Sequence, residues 1–204
     1  MNLTLSPAAK TATIAITLAA LGTLLLQTAV DVSSGQKLGA SLWIQARFFT
    51  NLMILAVALI FALTWRRGAW PGASLPAALT VWIVLVGVIY HALLAADHDP
   101  EGWDVLVNIF QHTAIPLAVL GTWALLAPKA GLGWRDAVIW LGCPIGYAAY
   151  AILRGLLDGA FPYFFLNPVK SGWLGVGLYV IGIGVLFLVT GLLLVALARV
   201  LARR

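Results

Sequence analysis

Six long apolar runs, broken only by short polar or glycine-bearing segments, restrict what this chain can become. Each run approaches the roughly 20 residues that an α-helix needs to cross about 30 Å of hydrocarbon. The runs fall at about Thr11–Val30, Ser41–Trp65, Leu75–Ala96, Trp103–Ala127, Ala137–Leu157 and Trp173–Leu201. The breaks carry turn chemistry, as in Ser33-Ser34-Gly35, Arg66-Arg67-Gly68 and Pro128-Lys129-Ala130-Gly131, and none is long enough to hold an independent unit. The expected fold is all-α, a polytopic bundle of six transmembrane helices forming a single domain over residues 1–204. Composition agrees: 62% of the residues are hydrophobic and 9% charged, against roughly a quarter charged in a soluble domain.

Lys10 before the first run resembles the start of a signal peptide. The run exceeds a usual signal core, however, and Gln27–Val30 makes a poor cleavage site, so it reads as a membrane helix. With the amino end inside, Lys10, Arg66, Arg67, Lys129, Arg135, Arg199, Arg203 and Arg204 lie on the inner side. Lys37, Arg47, Arg154 and Lys170 lie outside, with Asp31, Asp97, Asp99, Glu101, Asp104 and Asp158. Eight bases against four is the positive-inside asymmetry, which orients both termini to the cytoplasm. Trp43, Trp65, Trp103, Trp123, Trp134 and Trp173 fall near span ends, where an indole buries its ring and keeps its N–H wet. The net charge of +5 is scattered singly or at helix ends, which argues against a nucleic-acid partner. Cys143 stands alone inside an apolar run and reads as packing. The glycines of the last run suit close helix approach better than a nucleotide loop.

Polar side chains inside spans are costly unless paired, and therefore mark candidate sites. The second run contains Gln45, Arg47, Thr50 and Asn51; the fourth contains Asn108, Gln111, His112 and Thr113. Counted from the outer ends at Ser41 and Trp103, Thr50 and His112 each lie nine residues in, about 13 Å at helical rise. A hydroxyl and an imidazole at one level can serve as nucleophile and general base if both face the bundle axis. Every carboxylate falls in a loop or at a span end, so any group orienting His112 is neutral: Asn108 one helical turn away, a tyrosine, or a backbone carbonyl. Arg47, three residues from Thr50, and Arg154, on one face with Tyr147 and Tyr150, could hold a substrate carboxylate or a developing oxyanion. Plainer readings stand beside these. A membrane threonine ordinarily bonds its own backbone, a deep histidine serves helix contacts as readily as chemistry, and both arginines can snorkel outward as anchors. His91 beside Tyr90 reads as a cap on the third span, and His98 as a solvated loop residue.

Three segments resemble the androgen-induced and androgen-dependent TFPI-regulating family of integral membrane proteins, its bacterial members in particular. They are Arg47-Phe48-Phe49-Thr50-Asn51, Asn108-Ile109-Phe110-Gln111-His112-Thr113 followed by Pro116, and Phe161-Pro162-Tyr163-Phe164-Phe165-Leu166-Asn167-Pro168 with Gly172-Trp173. The resemblance runs from Leu42 to about Gly177. In relatives the aromatic run carries a tyrosine at the place of Phe161, a proline at Phe164 and an aspartate at Asn167. What the resemblance implies is a threonine-dependent hydrolase acting on fatty acid esters of hydroxy fatty acids or similar acyl esters. Thr50 and His112 match its essential pair, and Asn51 falls among the residues near the substrate or oxyanion. It further implies no cofactor or metal, membrane lipids as surroundings, and a bacterial inner membrane as location. Two other readings compete. One is a haem or redox protein using His91 and His112, whose heights differ by about 6 Å; the other is a transporter or scaffold, for which no inverted repeat is evident.

Overall fold

The structure, a computed structural model, describes residues 3–202. Arg203 and Arg204, counted above among the inner bases, lie outside the described residues. Among the described residues the chain is all-α, and six helical stretches are long and apolar enough to cross a membrane: Pro7–Ser33, Phe49–Arg67, Ser74–Asp97, Trp103–Leu126, Trp134–Asp158 and Pro168–Leu201. The large apolar side chains left exposed, such as Leu18, Leu25, Leu59, Leu117, Leu125, Leu153 and Leu178, lie along these stretches, where acyl chains can cover them. The chain forms two compact units, one up to Ala130 and one from Gly131.

In the first unit, α1 (Pro7–Ser33) opens on a Ser6 cap whose hydroxyl accepts from the Ala9 amide. It buries a face of small side chains, Ala9, Thr13, Ile16, Thr17, Ala20 and Thr23. Thr13 and Thr17 return their hydroxyls to carbonyls four residues earlier at 2.8 Å. Those two hydroxyls are thereby satisfied, while the Thr23 hydroxyl stays unpartnered, and the face is slim enough for a neighbouring helix to approach closely. That neighbour is α3 (Phe49–Arg67), which answers with Ile54, Val57, Ala58 and Phe61. A short antiparallel bridge between Thr4 and Ala69 ties the start of α1 to the end of α3.

The second span departs from the expected one. Ser41–Gln45 does not continue into α3 but belongs to a separate eight-residue helix, α2 (Leu38–Gln45). The backbone leaves helical geometry at Phe48, which is extended. The span proper starts at Phe49, eight residues later than expected. Polar pairing explains the break: Ser41 and Gln45 turn inward and donate to Asp31 at the end of α1, at 2.6 and 3.1 Å, while Leu38, Leu42 and Trp43 face outward. Satisfying that carboxylate fixes the direction of α2, and α3 must begin afresh.

The third and fourth spans each contain a wide turn. After α4 (Ser74–Ile89) comes a π-turn at Tyr90–Leu94, closed by the Ala95 amide on the Tyr90 carbonyl. After α5 (Trp103–Ile109) comes another at Phe110–Ala114, closed by the Ile115 amide on the Phe110 carbonyl, and then α6 (Ile115–Leu126). Pro116 accounts for the second. It has no N–H for the His112 carbonyl, and its ring would collide with that carbonyl in a regular helix, so the turn widens. Gly87 on α4 admits the released carbonyl, since a Cβ there would lie 2.5 Å from His112 O. Lys129, beyond α6, donates to the carbonyls of Trp123 and Ala127 at 2.8 Å each and so caps that helix. Burial pulls its ammonium below the ordinary lysine pKa.

In the second unit, α7 (Trp134–Trp140) and α8 (Gly142–Asp158) are joined at Leu141, three residues ahead of the helix-disfavouring Pro144. The last helix, α9 (Pro168–Leu201), is interrupted at Gly172, whose φ of 65° only glycine adopts readily, so its apolar length runs from Trp173 as expected. Arg199 near its end lies 4.4 Å from the Trp134 ring centroid. The aromatic run forms an ordered turn at Phe164–Leu166, with Tyr163 stacked on Phe165 and Phe164 edge-on to Tyr179. Asn167 then caps α9, accepting from the Val169 amide at 2.9 Å, a task asparagine and aspartate perform equally well.

Candidate functional site

Within the first unit Thr50, Asn51, Asn108 and His112 come together. Thr50 Oγ1 lies 3.4 Å from His112 Nε2. The threonine does not return its hydroxyl to its own backbone, unlike Thr13, Thr17, Thr28, Thr64 and Thr80. As the second residue of α3 it has no carbonyl a full turn behind it to bond. The helix break thus leaves the hydroxyl with a single partner, the imidazole.

The other face of the imidazole is equally determined. His112 Nδ1 lies 2.6 Å from Asn108 Oδ1 and 3.2 Å from the Asn108 carbonyl oxygen. Both can only accept, so Nδ1 carries the hydrogen and Nε2 turns its lone pair to Thr50. The spacing from 108 to 112 brings the amide and the ring onto one side of the span. A neutral amide therefore occupies the place that a carboxylate holds in a charged triad.

Backbone donors sit beside the hydroxyl. Thr50 and Asn51 are the second and third residues of α3, and their amide N–H groups have no helical carbonyl to bond; Leu52 is the first that does, to Phe48 O at 3.2 Å. Phe48 offers no side-chain cap. Two open N–H groups and the positive end of the helix dipole accordingly belong to the residue that carries the hydroxyl and to the one after it. The Asn51 side chain donates one of its two amide hydrogens to the Gln45 carbonyl at 3.2 Å, while its Oδ1 is buried without a partner.

Arg47 occupies the break itself and is buried, which separates it from a snorkelling anchor. Tyr147, Tyr150 and Arg154 belong to the second unit and form a cluster there. Arg154 Nη1 donates to the Tyr150 hydroxyl at 2.7 Å and its Nε lies 3.7 Å from Asp158, while Tyr147 packs near Tyr150 and Tyr163. This arginine too is buried.

Sequence reasoning allowed a tyrosine beside His112 without singling out Tyr90, and it passed over Gly87. The Tyr90 ring stacks on the His112 imidazole, with centroids 3.8 Å apart and planes 13° from parallel, and its hydroxyl lies 2.9 Å from His98 Nδ1. His91 Nε2 lies 3.0 Å from Thr113 Oγ1. A tyrosine one residue before a histidine offers no periodic signal of such a stack, because it depends on two wide turns meeting. Among the described residues no group of three or more metal-binding side chains occurs. Comparisons with models of known families, with curated proteins and with solved structures return no match for this chain.

Proposed function

We propose that the chain is an intramembrane lipid ester hydrolase in which Thr50 is the nucleophile and His112 the general base, as the family resemblance implies. The observation that carries this reading is the contact of Thr50 Oγ1 with a His112 Nε2 freed to accept by Asn108. Thr50 Oγ1 attacks the ester carbonyl carbon while Nε2 takes its proton. The tetrahedral oxyanion points to the open amides of Thr50 and Asn51, donors that cost no reorganisation as charge develops. Collapse breaks the bond to the alcohol, which leaves with the proton from Nε2. Water then attacks the acyl-threonine, passing a proton to Nε2. The Thr50 oxygen departs, regains that proton, and the fatty acid is released. The imidazolium formed in between hydrogen-bonds to Asn108, which stabilises it less than a carboxylate would.

A fluorophosphonate probe tests the assignment: mass spectrometry of the labelled protein should place the adduct on Thr50, and labelling that persists in Thr50→Ala would remove threonine from the role. A haem reading is not favoured by this geometry, because both His112 nitrogens face protein partners.

Two further outcomes follow from the same arrangement. Asn108→Ala removes the shorter acceptor at Nδ1 and leaves the backbone carbonyl at 3.2 Å, so kcat should fall about ten- to a hundredfold with little change in KM. Steady-state kinetics on a chromogenic acyl ester would show it, and an unchanged kcat would deny Asn108 any part in orienting the ring. Arg47→Ala should raise KM for esters bearing a free carboxylate by about tenfold or more, and for neutral esters by less, since a charged hydrogen bond contributes roughly 1.5–3 kcal/mol. Arg154→Ala provides the comparison. Equal effects on acidic and neutral esters would refute a carboxylate site at either arginine.

A further inference from the structure

We infer that Tyr90 is a positioning residue for the base, held in turn by His98, so that the ring of His112 is set from a loop outside the span. The inference rests on the hydrolase reading for its catalytic consequence, though the contacts stand without it.

Three observations converge. First, Nδ1 and Nε2 of His112 are held in the ring plane by Asn108 and Thr50, which fixes two directions and leaves the ring free to rock about the line joining them. Tyr90, 3.8 Å away and nearly parallel, closes one face and stops that rocking. Second, Tyr90 is itself constrained. It is buried, its hydroxyl is bonded to His98 Nδ1 at 2.9 Å, and the rings of His91 and His98 stand edge-on to it at 5.1 and 5.8 Å. Third, the backbone is arranged for the stack. Both residues sit in π-turns, whose extra residue re-aims side chains, and Gly87, one turn before Tyr90, lets α4 come up against the His112 carbonyl. Without that approach a stack at 3.8 Å between adjacent spans could not form.

The arrangement also suits the reaction. When His112 accepts the Thr50 proton, the new cation lies against the face of an aromatic ring, an attractive geometry in a region with little water. Misplacing a general base by about 1 Å can cost a hundredfold in rate. Tyr90 therefore acts through His112 and touches neither nucleophile nor substrate.

The test uses the full chain in nanodiscs with isotope-labelled histidine. The His112 ring protons should resonate upfield in wild type, move downfield in Tyr90→Leu, and stay near the wild-type position in Tyr90→Phe. On an acyl ester, Tyr90→Leu should lose about ten- to a hundredfold in kcat with KM within about twofold. Tyr90→Phe and His98→Ala should each lose a few-fold, and the double variant no more than either alone, since both remove one hydrogen bond. A His112 spectrum unmoved by Tyr90→Leu would overturn the inference, as would Tyr90→Leu turnover equal to wild type. Should wild type fail to hydrolyse any ester or label at Thr50, the hydrolase reading falls by itself, while the ring-proton shifts still judge whether Tyr90 sets His112.

Discussion

Thr50→Ala and His112→Ala should each lower kcat on a lipid ester by about a thousandfold or more, and the double variant should be no worse than the poorer single one. In the proposed mechanism the two side chains share one proton-coupled attack, so removing either abolishes the step that the other serves, and costs that add would mean separate roles. Stability should hardly change in Thr50→Ala. Thr50 makes one side-chain hydrogen bond, at 3.4 Å, and its replacement leaves no buried charge. Melting temperatures within a degree or two of wild type, together with lost turnover, separate chemistry from folding. Thr50→Ser retains the oxygen but frees it from the β-branch that limits its rotamers, so it should keep part of the rate. Purified double variant that still turns over the ester would sink the mechanism.

Gly87→Ala should be the most damaging substitution away from the dyad. The added methyl would lie 2.5 Å from the His112 carbonyl oxygen, 3.6 Å from its carbon and 3.7 Å from Pro116 Cβ. The first two are backbone atoms and cannot rotate aside, so α4 must retreat from the fourth span. Overpacking of this kind costs about 1–3 kcal/mol, a fall of several degrees in Tm for a chain of this size. Turnover should fall more steeply than stability, because the retreat withdraws Tyr90 from His112 and tilts the π-turn that carries the imidazole. Gly121→Ala on α6 is the control, since a Cβ there meets nothing within 4 Å. If Gly87→Ala melted and turned over like Gly121→Ala, the close approach would have no role in holding the site.

The spans were legible because hydrocarbon leaves few alternatives. Their ends agree with the helices within a few residues, at Trp173 because Gly172 marks the start of the last apolar stretch, with one exception: the second span begins at Phe49, eight residues after the expected Ser41. The pairing of Thr50 with His112 was reachable from depth, yet the route to it was not straight. Gln45-Ala46-Arg47-Phe48 contains no glycine or proline and reads as unbroken helix, whereas Asp31, fourteen residues before Gln45, bends the chain there. Local propensity carries no trace of so distant an acceptor. The wide turn at Phe110–Ala114 had a visible cause in Pro116, but whether a proline kinks, bulges or ends a helix depends on what receives the freed carbonyl, here Gly87. Tyr90 was invisible for the same reason. Asn108 was legible, since a four-residue step on a helix places its amide beside the ring whatever the surroundings.

The interruption ahead of Phe49 also bears on how an ester would be recognised among thousands of near-identical tails. A carbonyl dissolved in acyl chains is short of hydrogen-bond donors, and an intact helix has none to lend, because each N–H is already committed along its length. A helix that restarts after a break, as α3 does at Phe49, exposes unspent amides at its first residues. On the hydrolase reading, the polar joint of such a lipid would be drawn, whatever the length or branching of its chains, to the spot where the backbone still has hydrogens to give, and the hydroxyl of Thr50 stands there.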